Sequence, residues 1–324
     1  MNTLLKEALY NYEIQHPQIE FIRHNENQIY KIKDTLLNNK YVIRIHKPSD
    51  DFSLDIFGDK ERSIDLLISE MNILNAISEK TEIPIQIPIK NKSGEFVTVL
   101  SDGTPVTLLT WVDGKTVEEI ELTDKVLFKI GEMLGRFHDF SKQWSKNINL
   151  NRYSYDKNLL INMLSKIETG VKLNVFSSEQ FKIIVDAINE IINCINDLDL
   201  QKNSKGIVHS DLSKSNLIMN NGRITPIDFS LCGNSHYYMD LGSLFSHFDK
   251  QEQRRCIISG YKSIIDEDIE VKYIEAFMVF QIVLFISTHI ESASQWDWFN
   301  AALNRWCKEF FIPFSNNAPF IGTL

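Results

Sequence analysis

The stretch IVHSDLSKSNLIM, residues 207–219, is the most informative part of this 324-residue sequence. An apolar run leads into a polar loop that carries His209, Asp211 and Asn216, and a second apolar run follows. Asp228 lies twelve residues beyond Asn216, in an I-D-F segment that ends the next apolar run. Two short apolar runs separated by a turn predict a β-hairpin, which would place Asn216 and Asp228 side by side at its open end.

The side chains in this pattern are the types that phosphoryl transfer requires. One carboxylate must orient a hydroxyl group and accept its proton. An amide oxygen and a second carboxylate must hold a divalent cation against a triphosphate. Asp and Asn are also common in turns, but the full spacing H-x-D-x-x-x-x-N, followed by I-D-F, predicts a phosphotransferase site.

These motifs resemble those of the aminoglycoside phosphotransferase and choline kinase family, relatives of protein kinases that phosphorylate small molecules. The resemblance rests on HSDLSKSN at 209–216, IDF at 227–229 and MDLG at 239–242. Weaker agreement extends from about residue 20 to about residue 250. The last 70 or so residues carry no motif of the family.

The resemblance implies a role for each motif residue. Asp211 is expected to be the catalytic base or orienting group, and Asn216 and Asp228 are expected to bind Mg²⁺. His209 is expected to shape the catalytic loop beside the nucleotide, and Asp240 to brace that loop from the next helix.

A kinase also needs a strand cation for the phosphates of ATP. The segment YVIR at 41–44 places Arg44 in the register where kinases carry lysine, and Lys47 is the alternative cation. Arginine is always charged and binds phosphate oxygens in a bidentate manner. Glu70, at the edge of the apolar stripe of a predicted helix, is expected to pair with Arg44, with Glu61 as the second choice.

The predicted phosphate-covering loop, RHNENQIY at 23–30, has no glycine. Asparagine tolerates a positive φ better than most residues, so Asn25 and Asn27 are expected to form its tight turn. Without glycine, this loop alone is a weak motif.

The segment LLTWVDG at 108–114 resembles the strand-to-hinge segment whose backbone binds adenine. Nucleotide contacts are therefore expected at Trp111 and Val112, and a further contact at Ser213 of the catalytic loop.

Taken with the periodicity of the chain, the resemblance implies an α+β, protein-kinase-like bilobal fold. Residues 1–111 would form a nucleotide-binding lobe with an antiparallel sheet and one long helix. Residues 112–324 would form a mostly helical lobe for catalysis and acceptor binding, joined at a hinge at Asp113 and Gly114. Strands are predicted at 19–23, 28–33, 40–46, 96–100 and 105–111, and helices at 1–15, 60–79, 124–140, 156–167, 178–198, 240–265 and 271–292.

The amino-acid composition limits the classes of binding partner that we expect. The 34 Lys and Arg against 43 Asp and Glu give a net charge of −9, whereas a nucleic-acid binder usually shows a basic excess. The longest apolar run, 276–286, is too short to span a bilayer and predicts a buried helix. The four cysteines form no C-x-x-C pair, which favours free thiols in the cytoplasm. We therefore expect neither a nucleic-acid nor a membrane partner, and the oligomeric state stays open.

The predicted function is transfer of the γ-phosphate of ATP, with Mg²⁺, to a hydroxyl group of a small molecule. One alternative is a protein kinase, but Asp228 is followed by Phe229 and Ser230 without the glycine of D-F-G, and no A-P-E follows. A second alternative is a nucleotide-binding pseudo-enzyme, which the arginine at position 44 and the glycine-free loop would favour. The acceptor stays open among aminoglycosides, other antibiotics, choline-like amines, homoserine and sugars.

An aromatic cluster near the C-terminus, formed by Trp296, Trp298 and Phe299, is predicted to be core or a partner surface, with a pocket wall as the alternative. His138, in a predicted helix, is expected to serve packing rather than chemistry.

Overall fold

The computed structural model describes residues 3–24, 27–47, 56–58, 64–144, 150–322 and 324. Its N-terminal part contains a five-stranded antiparallel sheet in the order β1-β2-β3-β5-β4. The strands are β1 (Pro17–His24), β2 (Gln28–Asp34), β3 (Lys40–Ile45), β4 (Val97–Val99) and β5 (Pro105–Thr110). All five lie close to their predicted positions.

Two helices pack on the two faces of this sheet, α1 (Thr3–Tyr10) and α2 (Ile64–Lys80). Side chains alternate between the faces of a strand, so on β3 Ile43 packs with α1 and Val42 packs with α2. Arg44 shares the α2 side with Val42. The predicted start of α2 at residue 60, and Glu61, lie outside the described residues.

The C-terminal part is mostly helical. Its described residues form the helices α3 (Asp124–Trp144), α4 (Lys157–Lys172), α5 (Ser178–Asp199), α6 (Tyr238–Phe245), α7 (Gln251–Lys262), α8 (Val271–His289), α9 (Phe299–Trp306) and α10 (Ile312–Ser315). The apolar faces of α4, α5 and α8 enclose the largest core cluster. This agrees with the helical periodicity of the sequence beyond residue 123.

Two small sheets interrupt the helices. One has the strand order β10-β9-β6 and the other β7-β11-β8. Their strands are β6 (Lys115–Thr116), β7 (Tyr153–Ser154), β8 (Lys205–Val208), β9 (Leu217–Asn220), β10 (Arg223–Pro226) and β11 (Gly233–His236). They position the polar loops that follow β8 and β10.

The connection between the two parts runs from β5 to β6 through the predicted hinge. Gly114 has a φ of 137°, and a Cβ atom there would lie 2.4 Å from the carbonyl oxygen of Met219. Only glycine fits this close approach. Asp113 forms a 2.7 Å ion pair with Lys40 of β3, so the connection is tied to the sheet.

The prediction of one helix over 240–265 is wrong. The chain leaves the helical conformation between α6 and α7, and Lys250 is extended (φ −84°, ψ 133°). The break lets α6 pack against α8 while α7 packs against α3. A Cβ atom at Gly260 would lie 2.0 Å from the carbonyl oxygen of Phe128, and one at Gly131 would lie 1.8 Å from that of Ile257. The chain must change direction between α6 and α7 for α7 to pack this closely on α3. Helical periodicity in the sequence does not reveal such a change.

Among the described residues, α8 is the one helix long and apolar enough to span a membrane, but two thirds of its apolar window (67%) is buried inside the protein. Such burial is typical of the core helix of a soluble protein. It agrees with the interpretation of this apolar run as a buried helix.

Candidate active site

The β9–β10 hairpin forms as predicted. Its turn is Asn221-Gly222, and both residues have a positive φ (49° and 75°), as a two-residue hairpin turn of this type requires. Leu217 pairs with Pro226, and the Ile227 N–H donates to the Asn216 carbonyl over 2.9 Å. Asn216 and Asp228 therefore lie at the same open end. Asp228 has a left-handed backbone (φ 64°, ψ 68°), a conformation that aspartate tolerates better than most residues.

The loop between β8 and β9 directs Asp211 and Asn216 toward each other. Asn216 Nδ2 donates to Asp211 Oδ2 over 2.9 Å and to the Asp211 carbonyl over 3.0 Å. Burial raises the pKa of the Asp211 carboxyl; His209 opposes this shift and Asp228 adds to it. The carboxyl is thus a stronger proton acceptor than an exposed aspartate.

His209 holds the two motif segments together. Its Nε2 donates to the Ile227 carbonyl over 2.9 Å, and its Nδ1 accepts from the Asp211 N–H over 3.3 Å. Because a carbonyl only accepts, these contacts define a neutral tautomer with the proton on Nε2. The ring is fully buried, so it shapes the loop from inside and is not exposed to a ligand.

Asp240, in α6, braces the start of the loop. Its Oδ1 accepts from the Ser210 N–H over 2.7 Å, and its Oδ2 accepts from the His209 N–H over 3.0 Å. His138 Nε2 lies 3.0 Å from the same Oδ2. Burial lowers the pKa of His138 although Asp240 opposes the shift, and its Nδ1 lies 2.9 Å from the Tyr261 hydroxyl. His138 is therefore a buried packing residue that also supports the brace.

The strand cation and the helix glutamate are paired. Arg44 Nη2 donates to Glu70 Oε1 over 2.7 Å, and Arg44 Nε donates to Thr107 Oγ1 over 3.2 Å. Both members are almost fully buried, with 6% and 1% of their side chains exposed. Glu70 Oε2 is buried and has no hydrogen-bond partner among the residues that the structure describes. Lys47, the alternative cation, is exposed at the end of β3.

Arg152 is a residue that the sequence analysis missed. Its buried guanidinium donates to the carbonyl oxygens of Cys232 (2.8 Å) and Leu66 (2.9 Å), and to those of Phe229 (3.2 Å) and Ser230 (2.5 Å). It thus ties α2, which carries Glu70, to the segment that follows Asp228. No local pattern marks this arginine, because all four acceptors are backbone atoms distant in sequence.

Arg23 is the second unpredicted contact. It lies near the end of β1, and its Nη2 donates to Asp228 Oδ2 over 2.7 Å. From the sequence, Arg23 is recognisable only as the first residue of the glycine-free loop. Asn25 lies outside the described residues, and Asn27 is buried just before β2.

The remaining residues predicted to contact a nucleotide lie at the β5–β6 connection and in the loop between β8 and β9. Trp111 follows β5, its N–H donates to the Lys40 carbonyl over 3.0 Å, and Lys31 Nζ lies 4.4 Å from its ring centroid. Val112, the next residue, is half-buried. Ser213 Oγ forms a 2.8 Å hydrogen bond with a neighbouring serine hydroxyl in the catalytic loop.

The oxygen atoms at the open end of the hairpin fit a divalent cation. Asn216 uses its Nδ2 on Asp211, so its Oδ1 points away from that carboxylate. Asp228 adds a carboxylate that stays 20% exposed. Within the described part of the chain, no group of three or more His, Cys, Asp or Glu could hold a metal ion. Asn216 and Asp228 thus offer hard oxygen donors of the kind that Mg²⁺ and Ca²⁺ accept.

One face of α8 borders the catalytic loop. Gln281 Nε2 donates to the Ser210 carbonyl over 2.8 Å. The partly exposed residues of this helix half are Gln281, Ile282, Phe285, Thr288 and His289. They follow the spacing of one helical side, and we call them the open face of α8. Phe285 lies about 6 Å and His289 about 12 Å along the axis from Gln281.

The predicted aromatic cluster divides at the far end of this open face. Phe299 is buried core, whereas Trp296 and Trp298 stack on each other with ring centroids 5.3 Å apart. Both indoles lie 6.1 Å from the Phe285 ring. Half of Trp298 is exposed. This part of the cluster therefore presents an aromatic surface that a ligand can contact, and it is not part of the buried core.

Comparison with known proteins identifies similar molecules. Residues 19–260 match the profile of the Phosphotransferase enzyme family. Amicoumacin kinase of Bacillus subtilis (strain 168) is 25% identical over 248 residues. That alignment covers 74% of this chain and 66% of the relative, just under two thirds of its length.

Solved structures show the same fold at low identity. Amicoumacin kinase hAmiN, in complex with AMP-PNP, Ca²⁺ and Ami, is 20% identical with a TM-score of 0.74, covering 98% of this chain and 93% of its own. The microcompartment-associated aminopropanol kinase is 18% identical with a TM-score of 0.76, covering 99% of both chains. Choline kinase from Cryptosporidium parvum Iowa II is 15% identical with a TM-score of 0.63, covering 98% of this chain and 96% of its own. These similarities confirm the predicted α+β, protein-kinase-like fold.

Proposed function

Because the chain belongs to the phosphotransferase enzyme family, we propose that it transfers the γ-phosphate of ATP to a hydroxyl group of a small molecule, with Mg²⁺ as the divalent cation, in the cytoplasm. The match over 19–260 confirms the family assignment made from the motifs. The observation that carries the proposal is the convergence of Asp211, Asn216 and Asp228 at one hairpin end, on a loop fixed by buried hydrogen bonds.

In the proposed reaction the acceptor hydroxyl oxygen bonds to the γ-phosphorus as the bond from the γ-phosphorus to the β–γ bridging oxygen breaks, and ADP leaves. The Asp211 carboxylate orients the hydroxyl and accepts its proton. The raised pKa of Asp211 suits this task. Asn216 Oδ1 and the Asp228 carboxylate would hold Mg²⁺, which supplies charge neutralisation for the phosphate oxygens when bound.

We assign the nucleotide to the space between residues 1–111 and residues 112–324. Arg44, oriented by Glu70, would neutralise the phosphates as charge develops. The Trp111 N–H is used by Lys40. The proposed backbone contact to adenine is therefore the Trp111 carbonyl or, on the opposite side of the same trans peptide, the Val112 N–H. Ser213, on the catalytic loop, would lie beside the phosphates.

We assign the acceptor to the open face of α8. This face begins at Gln281, which touches the catalytic loop one residue before Asp211, and ends at the Trp296–Trp298 stack. An acceptor with its hydroxyl at Asp211 and about 10 Å of further length would reach the indoles. Aromatic faces bind planar groups by stacking and amines by cation–π contact, and the net charge of −9 favours a cationic acceptor.

The structure gives little support to the protein-kinase alternative. After Asp228, one short turn at Phe229–Leu231 leads directly into β11, which pairs with β8. α6 then starts at Tyr238. This leaves no long segment between Asp228 and α6 on which a peptide substrate could lie.

The test is ADP formation from ATP with a panel of hydroxyl compounds: amicoumacin, aminopropanol, choline, spectinomycin and homoserine. We expect acceptor-dependent and Mg²⁺-dependent ADP formation with at least one of them. Asp211→Asn is the matched control, because it keeps the side-chain shape and removes the proton acceptor. Nucleotide binding without acceptor-dependent turnover across a wide panel would favour the pseudo-enzyme alternative.

A further inference from the structure

Arg23 makes an ion pair that crosses from the N-terminal sheet to the catalytic hairpin. Its Nη2 lies 2.7 Å from Asp228 Oδ2, although the two residues are 205 positions apart in the chain. About half of the Arg23 side chain (49%) is exposed, and Asp228 is 20% exposed. The guanidinium therefore lies between the N-terminal sheet and the catalytic hairpin, in contact with the carboxylate that the proposed function assigns to the divalent cation.

The backbone of β1 is built to direct Arg23 this way. The pairing of β1 with β2 shifts register between Phe21 and Arg23, which marks a β-bulge. A bulge re-aims the side chains beyond it and is common next to active sites. His24, the next residue, is held by its Nε2, which lies 2.9 Å from the Lys47 carbonyl. The strand end that carries Arg23 is therefore anchored on both sides.

The sequence of the following loop explains the need for such a side chain. A glycine-rich loop covers ATP phosphates closely because glycine lets the backbone approach them. The segment at 23–30 contains no glycine, so every residue in it carries a Cβ atom that limits such a close approach. An arginine supplies up to five N–H donors and a permanent charge from a greater distance.

We propose that Arg23 is a phosphate-binding residue of the nucleotide site, in addition to Arg44. This inference rests on the proposed function. On nucleotide binding the guanidinium exchanges the Asp228 carboxylate for phosphate oxygens, and Asp228 becomes available to the cation. The exchange is easy because an exposed ion pair contributes little stability.

The test is binding of ADP and of adenosine, each in EDTA, by calorimetry. The variants are Arg23→Ala, Arg23→Gln and Arg23→Lys. Lys33→Ala is the control, because it removes one positive charge from the same hairpin at the end far from Asp228. Wild-type protein should bind ADP more tightly than adenosine. Arg23→Ala and Arg23→Gln should bind ADP about 10-fold more weakly or worse with adenosine binding unchanged, and Arg23→Lys should lie between.

The outcomes separate the two proposals. If wild type binds ADP and adenosine but Arg23→Gln keeps the full preference for ADP, Arg23 has no phosphate role and the proposed function stands. Tighter ADP binding by Arg23→Gln would make Arg23 only a competitor for Asp228, which also overturns the inference. If wild type binds neither compound, both proposals fail. Thermal unfolding of each variant, expected to match wild type for this exposed residue, verifies the fold.

Discussion

The catalytic loop (Ser210–Asn216) and the open face of α8 touch each other through Gln281, yet they are built differently. In the loop, backbone groups and motif side chains are fixed by hydrogen bonds to Asp240, His209 and Asn216. The open face consists of partly exposed side chains with mainly aromatic neighbours. A substitution in the loop would break buried hydrogen bonds, whereas a substitution at an exposed position such as Trp298 would not. We infer that the loop sets the reaction and the open face sets the acceptor.

The largest expected effect is that of Asp211→Ala. It removes the proposed proton acceptor, so turnover should fall about 10²–10⁴-fold for every acceptor. Binding of Mg²⁺·ATP should persist, because Asn216 and Asp228 remain. Steady-state kinetics and nucleotide titration measure the two properties, with exposed Asp266→Ala as the control. If Asp211→Ala retained more than about half of wild-type turnover, Asp211 would not be the proton acceptor. The inference that the catalytic loop sets the reaction would then be wrong.

The next effect concerns the cation opposite the loop. Arg44→Ala should lower kcat/KM for ATP about 10²-fold, the order found for loss of one charge-stabilising donor. Arg44→Lys should recover part of this, because it restores the charge but not the bidentate fork. Glu70→Gln should be milder, since Glu70 only orients Arg44.

Lys47→Ala is the matched control for Arg44→Ala, because Lys47 is the exposed alternative on the same chain segment. A wild-type ATP dependence in Arg44→Ala, together with a defect in Lys47→Ala, would transfer the phosphate role to Lys47. In either case the KM for the acceptor should stay unchanged. This would show that these cations act on the nucleotide and not on acceptor binding at the open face of α8.

A third variant tests whether the loop depends on its brace. Asp240 accepts hydrogen bonds from the backbone N–H groups of His209 and Ser210 through its two oxygens. Asp240→Asn keeps one of these oxygens but replaces the other with an NH₂ group, which cannot accept a hydrogen bond from an N–H. The free energy of unfolding should fall by about 1–3 kcal/mol, the cost of leaving a buried donor unsatisfied, and turnover should fall with every acceptor alike. Urea unfolding and kinetics measure both, with exposed Asp249→Asn as the control. Unchanged stability and turnover would mean that the loop holds its shape without Asp240.

The difference between the regions also explains what the sequence could predict. The hairpin and the loop followed from spacing within short segments, because strand alternation is local. The Arg44–Glu70 pair followed from the kinase pattern of a strand cation and a helix glutamate. The contacts that were missed join distant segments: Arg152 binds carbonyl oxygens about 80 positions away, and Arg23 crosses to Asp228. The single helix predicted over 240–265 was wrong for the same reason, since packing on α3 and α8 determines where it breaks.

The smallest expected effect concerns the open face of α8 and its proposed role in acceptor binding. Trp298 is half exposed and stacks on Trp296, so Trp298→Ala should remove a contact surface without opening a buried cavity. Loss of one aromatic contact corresponds to about 0.5–1.5 kcal/mol, so the acceptor KM should rise about 2- to 12-fold, with kcat and the KM for ATP unchanged. Trp298→Phe should recover part of the loss. Tyr10→Ala, which removes an exposed aromatic ring from α1, is the control. A fall in kcat for all acceptors would show that the aromatic wall supports the catalytic loop, and the division of labour between the two regions would then be wrong.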